Sequence, residues 1–254
     1  MVLDAAAIAA GMRLVAYPLL SSTNEHALRL AARGERGPLW IVAERQTAGR
    51  GRRGRAWFSP AGNLHATLLL ADPAPIGVRP QLSFVAALAA VDALSSLAPF
   101  LAAQLAIKWP NDLLLAGRKV AGILLEGAGD AVAVGIGINC ASHPSGTEQP
   151  AIDLATAGAA ISPPDLLVAL SRTMVARLAL WRRGAGFAAI RADWLARATG
   201  VGGEIRVRLG ERELSGRFEA LDEAGGLMLR RAGGDMMTIA AGDIFLTGAS
   251  APTW

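Results

Sequence analysis

Cysteine occurs once, at Cys140, which excludes an internal disulfide and any cysteine-based zinc site and favours a reducing compartment. That thiol is expected to behave as a small buried apolar group. Lysine is almost missing too: Lys108 and Lys119 are the only two, so 23 of the 25 basic residues are arginine. Formal net charge is just +4, a poor footprint for general nucleic-acid binding, which calls for a basic face with few acids mixed in. The three histidines, His26, His65 and His143, lie in unrelated segments. No Ser-His-Asp or Cys-His set accompanies them, so a covalent acyl-enzyme is not expected. The run 1–10 carries Asp4 and lacks a basic start, which argues against a secretory signal. The longest apolar stretches, 84–94 and 123–137, are broken by glycine or charge short of a membrane span. Together these absences predict a cytoplasmic protein that needs no membrane.

What is present is a chain of 254 residues, 52% of them hydrophobic, long enough for one sizeable domain and a small second one. Its organising stretch runs from Ala48 to Ser59. There Arg50, Arg52, Arg53 and Arg55 alternate with Gly49, Gly51 and Gly54, so backbone N–H groups and guanidinium forks can close around an anion. No Asp or Glu occurs from Arg45 to Ala71. A segment this glycine-rich and like-charged is expected to stay mobile until an anionic ligand orders it.

Taken in order, Ser22 with Glu25 forms a capping box, and the helix it starts runs to Gly34. Ser22, Thr23 and Asn24 therefore gather at a helix N-terminus, where free N–H groups favour acceptor or anionic atoms. The plain alternative is a cap and nothing more. Runs 39–44 and 63–71 read as neighbouring strands with the arginine loop between them. Pro80 opens an alanine-rich packing helix to about Leu97, with Leu82, Val85, Leu88, Val91 and Leu94 at every third position.

The second informative block is Ile107-Lys108-Trp109-Pro110-Asn111-Asp112, followed by 113–115, a Gly-containing turn and 118–126, which reads as a β-hairpin. Pro110 supplies no ladder N–H and holds Trp109 extended, so the corner presents Asn111 and Asp112 as fixed polar groups. Two lysines within twelve residues, in a chain that otherwise uses arginine, suggest sites that need a compact ammonium. Lys119 stands near Gly122, where a ligand can approach the backbone. In 131–140, Val132, Val134, Ile136 and Ile138 alternate with small residues. Gly135 and Gly137 leave a bare backbone face, and Asn139 ends the strand. A lone Gly-x-Gly with no following helix does not support a dinucleotide fold. Ser162 to about Trp181 and 187–197 read as helices, and from Glu204 short strand-like runs recur between Gly-rich turns, predicting a small β-barrel.

These motifs resemble the biotin protein ligase family. Ser22-Thr23-Asn24, Gln46 with Gly49 to Arg55 and Trp57, Lys108 to Asp112, Arg118-Lys119 with Gly122, and Gly135-Ile136-Gly137-Ile138-Asn139 occur in its order and spacing, over roughly residues 15–248. The resemblance implies an α+β fold: a mixed-sheet catalytic domain of the biotin/lipoate ligase type over 1–199 and a small SH3-like β-barrel over 200–254. It implies that biotin and ATP with Mg²⁺ give biotinyl-5′-AMP, and that the biotinyl group then passes to a lysine of a biotin carboxyl carrier protein domain of a carboxylase. The binding set implied is Ser22, Thr23, Asn24, Gln46, Gly49, Arg50, Gly51, Arg52, Arg55, Trp57, Asn111, Lys119, Gly122, Gly135, Gly137 and Asn139. Lys119, Arg52 and Asp112 are the catalytic candidates, and no residue is assigned to a metal. Some family members carry an N-terminal winged helix-turn-helix; the 21 residues before Ser22 are too few for one, so no nucleic-acid partner is expected. The protein is expected to be a monomer or a homodimer.

The chemistry agrees with that implication. A carboxylate approaching an α-phosphate needs fixed cations, which the arginine loop and Lys119 supply. Transfer needs a neutral amine, and Asp112 is the nearest group to accept or orient its proton. A lipoate-protein ligase is the nearest alternative, although the arginine loop favours biotin. A nucleic-acid-binding module using Arg50 to Arg55 ranks lower, because it predicts an extended repeat with aromatics. A purely structural protein leaves the lysine pair and the loop unexplained.

Overall fold

The computed structural model describes residues 1–246; the last part of the expected barrel range, 247–254, lies outside the described residues. In chain order the elements are α1 (Ala5–Ala9), β1 (Arg13–Leu20), α2 (Thr23–Ala32), β2 (Leu39–Gln46), β3 (Leu64–Ala71), α3 (Leu82–Leu97), β4 (Leu105–Lys108), β5 (Asp112–Leu115), β6 (Arg118–Ala128) and β7 (Ala131–Ile138). They continue with α4 (Pro163–Trp181), α5 (Phe187–Leu195), β8 (Glu204–Leu209), β9 (Arg212–Leu221), β10 (Leu227–Arg230), β11 (Met236–Ile239) and β12 (Asp243–Leu246).

The first seven strands form one mixed sheet, ordered β1-β2-β3-β7-β6-β5-β4. Only β1 and β2 pair in parallel; the runs read as neighbours, β2 and β3, pair antiparallel. The period-two alternation decides which face each side chain joins. On β7, Val132, Val134, Ile136 and Ile138 enter the main core with α3, α4 and α5. The intervening Ala133 joins a smaller cluster under α2 with Ala27, Ile41 and Leu69. Further along that same face come Gly135 and Gly137, where side chains are replaced by bare backbone. β3 alternates likewise: Leu64, Ala66 and Leu68 face the main core, which turns His65 and Thr67 to the α2 face.

α3 is apolar on most of its surface because most of it is buried, with Ala86, Ala87, Ala89 and Ala90 fully enclosed, while Asp92 and the last turn reach the surface. The run Arg79–Leu97 is longer than the apolar stretch read from sequence and meets the length and composition of a membrane span. Here it is the central core helix. Cys140 is buried, and burial pushes its thiol up to about 11, as expected for an inert apolar filler.

β8 to β12 form a second, antiparallel sheet ordered β11-β10-β9-β8-β12, the small β module anticipated after Glu204. Its interior, including Val207, Phe218 and Leu229, is continuous with the main core. The indole of Trp109 donates to the Gly225 carbonyl at 3.1 Å, and Arg191 donates to the Leu221 carbonyl at 3.2 Å. The β module is thereby fixed against the end of the large sheet where the motifs converge.

Candidate active site

α2 begins where Ser22 Oγ accepts from the Glu25 N–H at 3.4 Å, with Glu25 in the first turn. Because α2 lies across the glycine face of β7, its first residues enter the sheet instead of solvent. Thr67 Oγ1 donates to Asn24 Oδ1 at 2.7 Å or to Thr23 Oγ1 at 2.8 Å. Gln46 Oε1 accepts from the Thr23 N–H at 2.8 Å and its hydroxyl at 3.1 Å. Asn24 Nδ2 donates to Glu126 at 2.9 Å and to the Leu124 carbonyl at 3.2 Å. A Cβ on Gly135 would lie 2.9 Å from the Asn24 amide, so glycine there is what lets the helix start come this close.

Trp57 closes the adjoining part of the sheet. Its ring lies flat over Gly137 and Gly122: an added Cβ would fall 2.8 Å from Cζ2 at Gly137 and 3.0 Å from Cζ3 at Gly122. The Trp57 Nε1 is buried and unpaired among the described residues. Lys119 Nζ stands 5.4 Å from the ring centroid, a cation–π distance.

The charged centre surrounds Asp112. Lys119 Nζ is 2.6 Å from one carboxylate oxygen and Lys108 Nζ is 3.5 Å from the other. Burial pushes the Asp112 carboxyl up, but Lys119, Lys108 and Arg52 outweigh it and hold the group below its ordinary value. The backbone of Lys119 is fixed: its N–H donates to the Pro150 carbonyl at 2.7 Å and its own carbonyl accepts from Ile152 at 3.0 Å. Asn111 is fixed by the Ile123 backbone, with its carbonyl accepting from the Ile123 N–H at 3.1 Å, and its Oδ1 receives the Arg52 guanidinium at 3.3 Å. Asn139 Nδ2 donates to the Ile152 carbonyl at 3.1 Å, fixing the loop after β7.

The arginine loop folds as a single 3₁₀ turn over Arg52–Gly54, with Arg53 left-handed at φ 56°. The acid missing from its own neighbourhood arrives from β12. Asp243 lies 3.7 Å from Arg52, 3.0 Å from Arg53 and 2.9 Å from Arg55. Arg52 also donates to the Gly242 carbonyl at 3.1 Å; burial lowers its guanidinium below the ordinary value, with Asp243 and Asp112 opposing. Arg50 turns the other way, to Glu126 at 3.5 Å.

These parts line one cleft of about 340 Å³. Ser22, Thr23, Asn24, Gln46, Arg50, Gly51, Arg52, Arg55, Trp57, Asn111, Asp112, Lys119, Gly122, Gly135, Gly137 and Asn139 all contribute to its wall. Gly49 does not. A Cβ there would meet Gln46 Nε2 at 2.9 Å and the Trp57 carbonyl at 3.0 Å, so this glycine shapes the loop from behind. Sequence reading did not single out Asp243, Glu126, Glu148 or Gln149. It noticed Lys108 but gave it no role in the site. An isolated glutamate or glutamine leaves no local signal; the one available for Lys108 was the scarcity of lysine itself.

A cleft with a polar closed end, a flat indole over bare strand and a cationic rim suits a compact acid joined to a nucleotide. The biotin/lipoate A/B protein ligase family model matches residues 16–141, and the biotin protein ligase C-terminal domain model matches residues 201–247. The biotin--[acetyl-CoA-carboxylase] ligase of Paracoccus denitrificans is 48% identical over 82% of this chain and 90% of its own length. The chain belongs to the biotin protein ligase family. The bifunctional ligase/repressor BirA of Escherichia coli is 33% identical over 87% of the chain and 70% of its own length. Among solved structures, the Aquifex aeolicus biotin protein ligase in complex with biotin and ATP superposes with a TM-score of 0.80 at 27% identity, covering 92% of this chain and 99% of that one. The Leishmania major biotin protein ligase in complex with biotinyl-5-AMP gives 0.65 at 26% identity over 90% and 99%. The mixed sheet followed by a small β module is thus the architecture of biotin protein ligases, with the cleft at their junction.

Proposed function

We propose that this chain joins biotin to ATP, releasing pyrophosphate, and passes the biotinyl group from the resulting biotinyl-5′-AMP to a lysine of a biotin carboxyl carrier domain. In the first step a biotin carboxylate oxygen bonds to the α-phosphorus as the bond to pyrophosphate breaks. In the second the carrier amine bonds to the acyl carbon, AMP leaves and the amine gives up a proton. The observation that carries this reading is the cleft's polarity. Its closed end offers the paired donors and acceptors of Ser22, Thr23, Asn24 and Gln46, which suit a ureido group. Its middle is walled by the Trp57 indole seated on the bare backbone of β7, and its rim holds Arg50, Arg52, Arg55 and Lys119 where negative charge grows.

Lys119 bridges the carboxylate and the α-phosphate in this scheme, and Arg52 retains the adenylate. Asp112 serves better as the anchor of Lys119 than as the base for the carrier amine, because a carboxylate shared by two ammonium groups is a weak proton acceptor. No group of three or more His, Cys, Asp or Glu side chains among the described residues forms a metal cage. In this scheme Mg²⁺ enters as part of the substrate MgATP, its charge set against the phosphates. The catalytic part extends over 1–199 and the SH3-like barrel from 200. The carrier domain is the protein partner, and neither nucleic acid nor membrane has a part in this reaction. Biotin-dependent exchange of labelled pyrophosphate into ATP tests the first step. Exchange that needs biotin is expected; exchange driven equally by lipoate or occurring without either acid overturns the reading.

A further inference from the structure

Lys108 is a buried cation in the cleft to which the mechanism gives no role. It ends β4, is only 9% exposed, and among the described residues its one ion pair is with Asp112. Its ammonium lies between Asp112 Oδ2, at 3.5 Å, and Gln149 Oε1, to which it donates. Asp112 offers its remaining oxygen to Lys119 at 2.6 Å. Resting on the adenylation reading above, we propose that Lys108 is a positioning residue for that step: it holds the Asp112 carboxylate by one oxygen so that the other keeps Lys119 aimed at the reacting groups.

Three observations support this. The carboxylate is shared edge to edge, one oxygen per lysine, so removing either ammonium frees it to turn. The charges facing the cluster come from every side: Lys119 on β6, Arg52 in the arginine loop, Asp243 on β12 and Glu148 in the loop after β7. Lys108 supplies part of the positive charge that keeps Asp112 ionised against its burial, while burial pulls Lys108 itself below the ordinary lysine value and Asp112 resists that pull. The sequence also places its two lysines on the two oxygens of one carboxylate, where a compact ammonium fits and a planar fork does not.

The test is single-turnover formation of biotinyl-AMP at saturating biotin and MgATP, followed from the acid to the neutral range. The set comprises the parent, Lys108→Gln, Lys108→Arg, Asp112→Asn and the double variant Lys108→Gln/Asp112→Asn. Lys108→Gln is expected to lose about tenfold in rate, with KM for both substrates little changed. Its acid limb should move to higher pH, because Asp112 then protonates more readily; Lys108→Arg, which keeps the charge but not the compact shape, should restore the limb while recovering the rate only in part. In the Asp112→Asn background, removing Lys108 should cost almost nothing more, since the two act as one unit. Additive losses, or a uniform loss at every pH with the limb unmoved, overturn the proposal. If Lys108→Gln does not fold, Lys108→Met replaces it in the same cycle. A parent that makes no adenylate refutes the ligase reading instead, and that outcome is read before any variant.

Discussion

Asp243 ties the β module to the arginine loop, and Asp243→Asn isolates what that tie is worth. The substitution keeps the side chain's shape and removes one charge that faces three guanidinium groups at 2.9, 3.0 and 3.7 Å. The side chains of Arg55, Arg53 and Arg52, in that order of distance, are 55%, 37% and 21% exposed, against 14% for Asp243. Exposed pairs contribute about 0.2–1 kcal/mol each, and three pairs on one carboxylate do not add in full. Taking the more enclosed Arg52 near the top of that range, the docked loop loses about 2 kcal/mol, which raises the undocked fraction about thirtyfold. Trypsin reads this directly, because the loop carries four arginines and cleavage of an open state tracks its population when reclosing is fast. The initial rate of cutting within Arg50–Arg55 should rise by that factor without ligand, and biotin with ATP should suppress it in both proteins. Equal rates in parent and variant would refute the claim that Asp243 docks the loop.

Lys119→Arg keeps the charge but cannot place a planar fork at the point held 2.6 Å from Asp112. It should cost about 3 kcal/mol in the barrier, on the order of a hundredfold in single-turnover pyrophosphate release, while transfer from added biotinyl-AMP suffers less. Rates within a few-fold of the parent would remove Lys119 from the first step. Gly137→Ala sets a Cβ 2.8 Å from Trp57 Cζ2 and closer still to Nε1; it should displace the ring, alter tryptophan fluorescence and weaken biotin binding at least tenfold. Unchanged fluorescence and affinity would show that the indole does not wall the cleft in this way. His65 is held below its ordinary value of 6.5 by burial, with its hydrogen bond to Pro60 opposing. It stays neutral in the fold while the unfolded chain takes up a proton, so its contribution is complete above pH 6.5 and is lost as the pH falls toward the folded-state value. Urea midpoints should fall as pH drops through 6.5, and His65→Gln should flatten that slope; parallel curves would count against it.

Short-range signals were readable in the sequence and long-range ones were not. The Ser22 cap, the β5–β6 hairpin, the alternation along β7 and the five short strands after Glu204 are set by local spacing, and the structure has them all. The glycines at Gly135 and Gly137 announced a bare face, but not that Asn24 and Trp57 lie against it. Nor could a chain read in order find that the acid for the arginine loop stands 190 residues away. Lys108 looked like the start of the same hairpin as Lys119. It lies instead on β4, and the turn through Trp109 and Pro110 brings it back to Asp112. Partners far apart in sequence are chosen by topology, and no local pattern records that choice.

Every residue role above rests on this chain carrying biotin onto a single lysine of a carrier domain at the expense of ATP. The direct measurement is the intact mass and peptide map of a biotin carboxyl carrier domain after incubation with the protein, biotin, ATP and Mg²⁺. A mass gain of one biotinyl group at one lysine is expected, with stoichiometric AMP and pyrophosphate, absent when biotin or ATP is withheld. An unmodified carrier, or a lipoyl group attached as readily from lipoate, would contradict it.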